Sequence, residues 1–565
     1  MTTTPPTAAA VLRGSVRDQR GPVASAALLF AGHQGCEALV PVLVGVVVDR
    51  AVATGDPVAL LGWLAVLGLD FLVLSSCYRW GARRAWLGDV RADQRLRLLL
   101  ADRLLDPRGG AEAGRLPGEL ANVAVADAKR VGILNFALPL GLAALTAMLV
   151  AAVALLRTSV PLGLLILLGT PPLLLVVHLL GLPLQRRSGP EQERAARASG
   201  VAADLVDGVR VLKGLGAVPA AVARYRGASR EALGATLGAT RVQAGYQGAV
   251  LAANGLFLAL VALVGGRLAA DGALSIGGLV AAVGLAQFLI TPLQMLGWVN
   301  GRIAQGRASA ARIAAVLATG PAVADGDPDV PAPPARPALA LHDLHHGTLR
   351  GLDLDVGAGE TVGVVSADPA DAAALVACLA REVDPERGTI TVGGGPLARH
   401  PPRVARASVL VAAHGAELFS GSLHENVAAA ARDPAPVGAA MAAARADQVA
   451  EVLPDGAATV LTEQGRSLSG GQRQRVALAR ALAADAPVLV LHDPTTAVDA
   501  VTEVLIADGL AALRADRTTL VLATSPALLA VTDRVVLVVD GRVAAVGTHA
   551  ELMGSSSAYR DVVTA

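Results

Sequence analysis

Six runs of apolar residues, each long enough to cross a bilayer, fill the first half of this 565-residue chain. A membrane-spanning helix needs about 20 mostly apolar residues, because the hydrocarbon core is about 30 Å thick and offers backbone groups no water. The runs are residues 23–48, 57–78, 131–156, 160–184, 245–266 and 274–298, and the second half contains no seventh. A backbone in hydrocarbon must satisfy its own hydrogen bonds, so this half is expected to be all-α. Arginines gather before the first run (Arg13, Arg17, Arg20) and after the second (Arg79, Arg83, Arg84, Arg91, Arg95, Arg97). They recur after the fourth (Arg186, Arg187, Arg194, Arg197) and the sixth (Arg302, Arg307, Arg312). By the positive-inside rule these flanks, and both termini with them, are expected in the cytoplasm of a multi-pass cytoplasmic-membrane protein. The first run is too long for a signal-peptide core and lacks a clear cleavage site, so the N-terminus is expected to be retained.

The links after the second and fourth runs are long and rich in Arg, Asp and Glu, and are expected to carry the membrane helices onward into the cytoplasm. Residues 319–337 (TGPAVADGDPDVPAPPARP) have no apolar period and read as a linker. The expected organisation is therefore a six-helix transmembrane domain over 1–318, a linker over 319–337 and a soluble domain over 338–565. In the soluble domain, short apolar runs at 361–365, 408–412, 488–491, 519–523 and 535–539 are separated by Ala-rich helical stretches. That pattern suits an α/β fold whose sheet is buried on both faces. A formal net charge of +1 gives no support to a nucleic-acid partner. Cys36, Cys77 and Cys378 lie far apart and form neither a metal-ligand cluster nor a CxxC pair, so neither a metal site nor a disulfide framework is expected.

The strongest local signal is Leu468-Ser469-Gly470-Gly471-Gln472-Arg473-Gln474-Arg475, followed by an Ala-rich helical run and the strand VLVL. Ser and Gly at a helix start expose backbone N–H groups at the positive end of the helix dipole, where an anionic phosphate is favoured. The blander alternative is an ordinary helix capped by Ser469. Here the sequence resembles the ABC transporter family, whose signature is LSGGQ, and the resemblance runs over essentially the whole chain. Leu418-Phe419-Ser420-Gly421-Ser422-Leu423 with Glu425-Asn426-Val427 resembles the segment after the family's Q-loop. Pro494, Thr495, Ala497, Val498 and Asp499 resemble the stretch holding the D-loop, and Gly541 to Leu552 the closing GxxxxxGTHxEL segment. The resemblance implies an exporter-type transmembrane domain fused to a P-loop-NTPase-like nucleotide-binding domain, working as a dimer with ATP and Mg²⁺.

Against that resemblance, several positions depart. The family's P-loop, GxxGxGK[ST], wraps phosphates with amides, reaches them with Lys and holds Mg²⁺ with a hydroxyl. At those positions stand Ser366, Pro369, Asp371, Ala372 and Ala373, and no lysine occurs anywhere in 338–565. Asp368 and Asp371 would add carboxylates near the phosphates, where like charges repel. The family's magnesium-binding Asp is His492, its catalytic Glu is the shorter Asp493, its Q-loop Gln is His414 and its switch His is Thr524. His345 or His346 is at best a partial substitute for an adenine-stacking aromatic, and His414 with His492 is a candidate metal pair that no ligand spacing supports.

The groups that would hold this chain's own ATP are altered, while those that close over a partner's ATP remain. The resemblance thus implies a heterodimer with a second half-transporter that carries an intact Walker A and Walker B. In it, Ser469, Gly470, Gly471 and Gln472 would serve the partner's ATP, with Asp499 at the dimer interface; the chain alone is expected to lack ATPase activity. A catalytically silent regulatory or scaffold subunit, and a siderophore-type importer with the exporter fold, stand as alternatives. The expected cargo is a small molecule, lipid or peptide. Ionisable groups inside a membrane are costly and default to functional candidates. His33, Glu37 and Asp70 are such groups, with His178 and Gln287 as further polar candidates, lining a cavity or pairing with one another or with a neighbouring helix.

Overall fold

The chain is described from a computed structural model covering residues 6–415 and 417–564, apart from the side chains of 178, 182–189 and 463. Contacts divide it into two units, Met1–Leu100 with Gly118–Leu317 and Ala101–Pro117 with Ala318–Ala565.

The first unit is helical. A short helix α1 (Ala8–Asp18), capped by the Thr7 hydroxyl accepting the Ala10 N–H, precedes α2 (Arg20–Val47) and α3 (Pro57–Leu104). Next come α4 (Leu134–Thr158), α5 (Val160–Asp207), α6 (Val218–Ala270), α7 (Ile276–Phe288) and α8 (Ile290–Ala318). Among the described residues, five helical stretches are long and apolar enough to cross a membrane: Pro57–Leu104, Pro117–Thr158, Val160–Gly181, Val218–Ala270 and Ile276–Ala318. The expected first span is present as the 28-residue α2, whose apolar run is broken by His33, Gln34 and Glu37; it is not among the five. Helices α3, α5 and α6 have 48, 48 and 53 residues. At 1.5 Å per residue they reach about 70–80 Å, more than twice the bilayer core, so each continues past its apolar span as one helix.

Small residues let these helices meet closely. A Cβ at Gly277, at the start of α7, would collide with the Gly45 carbonyl of α2 and lie 2.7 Å from Asp49 Oδ1. Asp49 Oδ1 instead accepts the Gly277 N–H at 2.7 Å and its Oδ2 the Ser275 hydroxyl at 2.6 Å, satisfying the start of α7 from the end of α2. Further along, the buried Asp127 takes a two-pronged contact from Arg312 of α8 at 2.6 and 2.7 Å, and the Ser309 hydroxyl at 2.9 Å.

The second unit is α/β. In chain order it contains β1 (Leu339–His346), β2 (Leu349–Val356), β3 (Thr361–Ser366), α9 (Pro369–Leu379), β4 (Arg387–Val392) and β5 (Val409–Ala412). There follow α10 (Gly470–Ala483), β6 (Val488–His492), α11 (Ala500–Leu513), β7 (Thr518–Leu522), β8 (Arg534–Val539) and β9 (Arg542–Gly547). The main sheet runs β9-β8-β3-β7-β6-β5, parallel throughout except for the β8–β9 hairpin. Both faces are buried: on β6, Val488 and Val490 enter one core cluster while Leu489 and Leu491 enter another. A smaller antiparallel sheet, β2-β1-β4 with a short strand Gly395–Pro396, covers one side.

Two segments of this unit differ from the expected domain bounds. Residues 101–117, expected in the transmembrane domain, pack with the second unit: Arg108 O accepts the N–H groups of Ala322 and Val323 at 3.0 and 3.2 Å. Part of the Pro-rich stretch 319–337 is held down by Arg381, a buried side chain donating to the carbonyls of Ala324, Ala398 and His400.

Candidate functional site

In an open parallel sheet, ligands bind beyond the carboxyl ends of the strands. There the sheet register aligns three departing segments. Val364 of β3 is level with Leu522 of β7, which is level with His492 of β6. The loop after β3, the residues after β7 and Asp493 after β6 therefore share one edge.

The loop after β3 is two residues long. Helix α9 begins at Pro369, capped by Asp368, whose Oδ1 accepts the Ala370 N–H at 2.8 Å and whose backbone O accepts the Asp371 N–H at 3.0 Å. Ser366 donates its hydroxyl to the same Asp368 carbonyl at 2.7 Å. Pro369 has no N–H to offer. Asp371 does not face this edge: its side chain is buried, and Oδ2 accepts the Gly541 N–H at 2.9 Å. Of the two carboxylates expected to repel phosphate, only Asp368 stands at the helix start. Ala372 packs against the core and Ala373 is exposed.

At the end of β6, His414, His492 and Asp493 come together. Asp493 Oδ2 lies 3.8 Å from His414 Nδ1 and 3.7 Å from His492 Nε2, and the two rings are 5.9 Å apart. Asp493 has φ of +48°, a left-handed conformation that Asp tolerates better than most residues, and its N–H is held by Leu522 O at 2.8 Å. Burial pushes His492 below its ordinary value, with the Asp493 carboxylate opposing that shift and His414 adding to it. Among the described residues no three His, Cys, Asp or Glu side chains are disposed to hold a metal ion. Thr524 is exposed beyond β7, and no hydrogen bond or ion pair joins it to this trio among the described residues. His345 and His346 face Asp343 at 2.9 Å and Glu386 at 3.6 Å.

The signature forms the start of α10. Ser469 and Gln472 make a reciprocal capping box, Oγ accepting the Gln472 N–H at 3.3 Å and Oε1 accepting the Ser469 N–H at 2.8 Å. Gly470 and Gly471 are partly exposed beside it. A Cβ on Gly471 would lie 2.6 Å from the Ala497 carbonyl oxygen, so this glycine is needed for close backbone approach. Gln474, which the sequence reading passed over within the same motif, ties the helix to that segment: it donates to Thr496 Oγ1 at 2.6 Å and accepts the Ala497 N–H at 2.7 Å. Asp499 caps α11 by accepting the Thr502 N–H at 3.0 Å, and that bond holds its carboxyl below the usual range. An open cavity of about 470 Å³ lies between Gly470, Arg473, Gln474, Ala497 and His414.

In the first unit, α2 and α3 bring three of the polar candidates together. His33 Nδ1 meets Leu74 O at 3.1 Å, and Nε2 lies 3.6 Å from Glu37 Oε2. Gln34 Nε2 donates to the same Oε2 at 2.7 Å, and Cys36 lies beside Asp70. Gln34 and Cys36 were missed, although they fill the turn between His33 and Glu37. Gln287 is exposed on α7, and no hydrogen bond or ion pair links it to this group among the described residues. The His178 side chain lies outside the described residues.

Comparison with known proteins accords with this architecture. The ABC transporter transmembrane region matches residues 23–293, and the ABC transporter family matches residues 349–496. A multidrug efflux ATP-binding/permease protein of Mycobacterium tuberculosis is 31% identical over 540 residues, covering 93% of this chain and 45% of its own length. An ATP-dependent lipid A-core flippase of Alkalilimnicola ehrlichii is 34% identical over 299 residues, 51% of this chain and 50% of its own. The chain thus spans about half the length of these curated relatives. A bacterial Atm1-family ABC exporter solved with ATP bound superposes with a TM-score of 0.75 at 23% identity, over 97% of this chain and 99% of that one, which establishes the shared fold. With a helical membrane unit and a parallel-sheet unit each matched by its own ABC model family, this chain belongs to the ABC transporter family.

Proposed function

We propose that this chain is a subunit of an ATP-driven exporter in the cytoplasmic membrane, with a degenerate nucleotide site of its own and a signature helix that serves the site of a partner. The carrying observation is the start of α9 at Pro369, which turns the positions of a phosphate loop into the first turn of a helix. The residues there do not fit a triphosphate with its metal: the Ala370 and Asp371 N–H groups are already taken by Asp368, and Ala372 and Ala373 supply neither cation nor hydroxyl. The half-buried His492 stands where the family has a metal-binding carboxylate. In contrast, Ser469, Gly470, Gly471 and Gln472 keep the composition of a phosphate-facing helix start, and Gly470 borders an open cavity. ATP and Mg²⁺ would be held mainly by a second half-transporter with intact Walker motifs. The multidrug and lipid A-core functions of the relatives support an amphiphilic cargo.

A second reading, a regulatory or scaffold subunit, draws on the capping box, which satisfies Ser469 and Gln472 within the chain itself. Substituting Gly470→Asp separates the two. The first reading expects ATPase activity of the co-purified pair to be abolished; unchanged activity in a pair that still assembles supports the scaffold instead.

A further inference from the structure

The membrane unit holds acceptors that its own donors do not satisfy. Between α2 and α3, Glu37 Oε2 accepts one hydrogen bond, from Gln34, and lies 3.6 Å from His33 Nε2. Among the described residues, no Lys or Arg pairs with Glu37 or Asp70. Asp70 Oδ2 and Gln34 Oε1 are buried without any hydrogen-bond partner, and the Gln34 side chain as a whole is only 4% exposed. This stretch of two apolar helices thus carries two carboxylates and an amide oxygen, where an uncompensated charge is expensive and a missing donor costs its full desolvation.

Aromatic rings lead away from this group. Of only four Trp, four Tyr and six Phe in the whole chain, five residues form one connected run. Tyr78 lies 5.1 Å from His33 and 6.2 Å from Phe30; Phe30 lies 6.0 Å from Phe136, which reaches Trp86 at 5.0 Å and Trp298 at 6.5 Å. Tyr78 and Trp86 are 54% and 52% exposed within the chain. In so aromatic-poor a sequence, a core could have been filled with the Leu, Val and Ala used elsewhere. Exposed ring faces near carboxylates that have no Lys or Arg partner among the described residues suit a cation carrying an apolar body.

We propose that this patch is a cargo-binding subsite for protonated amphiphilic amines, with the ammonium between Glu37 and Asp70 and the apolar body along Tyr78. The assignment rests on the reading of this unit as a transporter's membrane domain. The surplus of acceptors favours an ammonium bearing N–H donors over a quaternary cation, which has none.

The test is calorimetric titration of the full chain in detergent micelles, without nucleotide, using an arylalkyl primary amine, its N-trimethyl analogue and the corresponding alcohol. The amine is expected to bind at least about tenfold more tightly than either analogue, a difference of about 1.4 kcal/mol. Glu37→Gln and Asp70→Asn should each weaken the amine about tenfold and leave the alcohol unchanged, whereas Tyr78→Ala should weaken all three. Equal affinity for amine and alcohol, equal affinity for amine and trimethyl analogue, or no effect of the two carboxylate substitutions would overturn the proposal. Binding needs no hydrolysis, so a failure here leaves the Gly470→Asp result intact, and the reverse also holds.

Discussion

The carboxylate of Asp371 accepts the backbone N–H of Gly541 at 2.9 Å, joining the first turn of α9 to the β8–β9 turn across 170 residues of sequence. Asp371 is thus a strut between α9 and the β8–β9 turn. Replacing Asp371 with Ala strands a buried N–H and should cost about 1–3 kcal/mol. Asp371→Asn keeps an acceptor and should cost less. Urea or thermal melts of the full chain would check the order Asp, then Asn, then Ala.

Restoring the missing chemistry alone should not restore the site. A double variant Ala372→Lys, Ala373→Ser supplies a cation and a hydroxyl, but both would sit one turn into a helix whose first free N–H groups Asp368 already occupies. Titration with a fluorescent ATP analogue should show no gain over the parent chain. A clear gain would mean that the segment from Ser366 to Asp371 can unwind and wrap a phosphate.

At the signature, backbone proximity sets the tolerance. Gly471→Ala would push a methyl group to 2.6 Å from the Ala497 carbonyl, so the helix start or the 494–499 segment must shift. Overpacking of this kind costs about 1–3 kcal/mol. Gln474→Ala removes both bonds to Thr496 and Ala497 and should move the same segment. Both variants should lower the ATPase rate of the assembled pair by reducing kcat, although Gln474 bonds only within its own chain.

Stability of the second unit should depend on pH through the buried His400 and the half-buried His492. His492 and His400 are both held below their ordinary value by burial, with neighbouring Arg381 adding to the effect at His400. Their neutral forms are the native ones. Stability is therefore complete above the ordinary histidine value of about 6.5 and is lost as pH falls below it, where the unfolded chain binds protons that the folded chain resists. Melting temperatures from pH 8 to 5 should fall, and His492→Gln should flatten part of that slope. An unchanged slope would assign the dependence elsewhere.

The membrane helices were legible because bilayer thickness imposes a length on apolar runs, and the main-sheet strands because burial on both faces leaves continuous Val and Leu. The five expected strands are β3, β5, β6, β7 and β8. What escaped was β1, β2, β4 and β9, whose half-exposed strands mix His, Asp and Arg with apolar residues, as in LALHDLHH of β1. The sequence places His33 and Glu37 on one face of α2, yet the meaning of that face depends on which turn of α3 lies opposite. Only the packing that puts Cys36 beside Asp70 and Tyr78 beside His33 discloses it. Likewise, the sequence of the altered phosphate loop reveals missing functions, but the inward turn of Asp371 needed the position of Gly541.

The economy of aromatic residues has an experimental consequence. All four tryptophans, Trp63, Trp80, Trp86 and Trp298, belong to the helical unit, and the second unit has none. Excited at its indole band, the isolated chain emits from one unit alone. Three of these rings lie against guanidinium groups, Trp63 on Arg50, Trp80 on Arg83 and Trp298 on Arg302, and the fourth, Trp86, stands 5.0 Å from Phe136. Events in the membrane unit can thus be watched optically in the native sequence, while unfolding of the sheet unit remains silent in the same channel and is followed by circular dichroism.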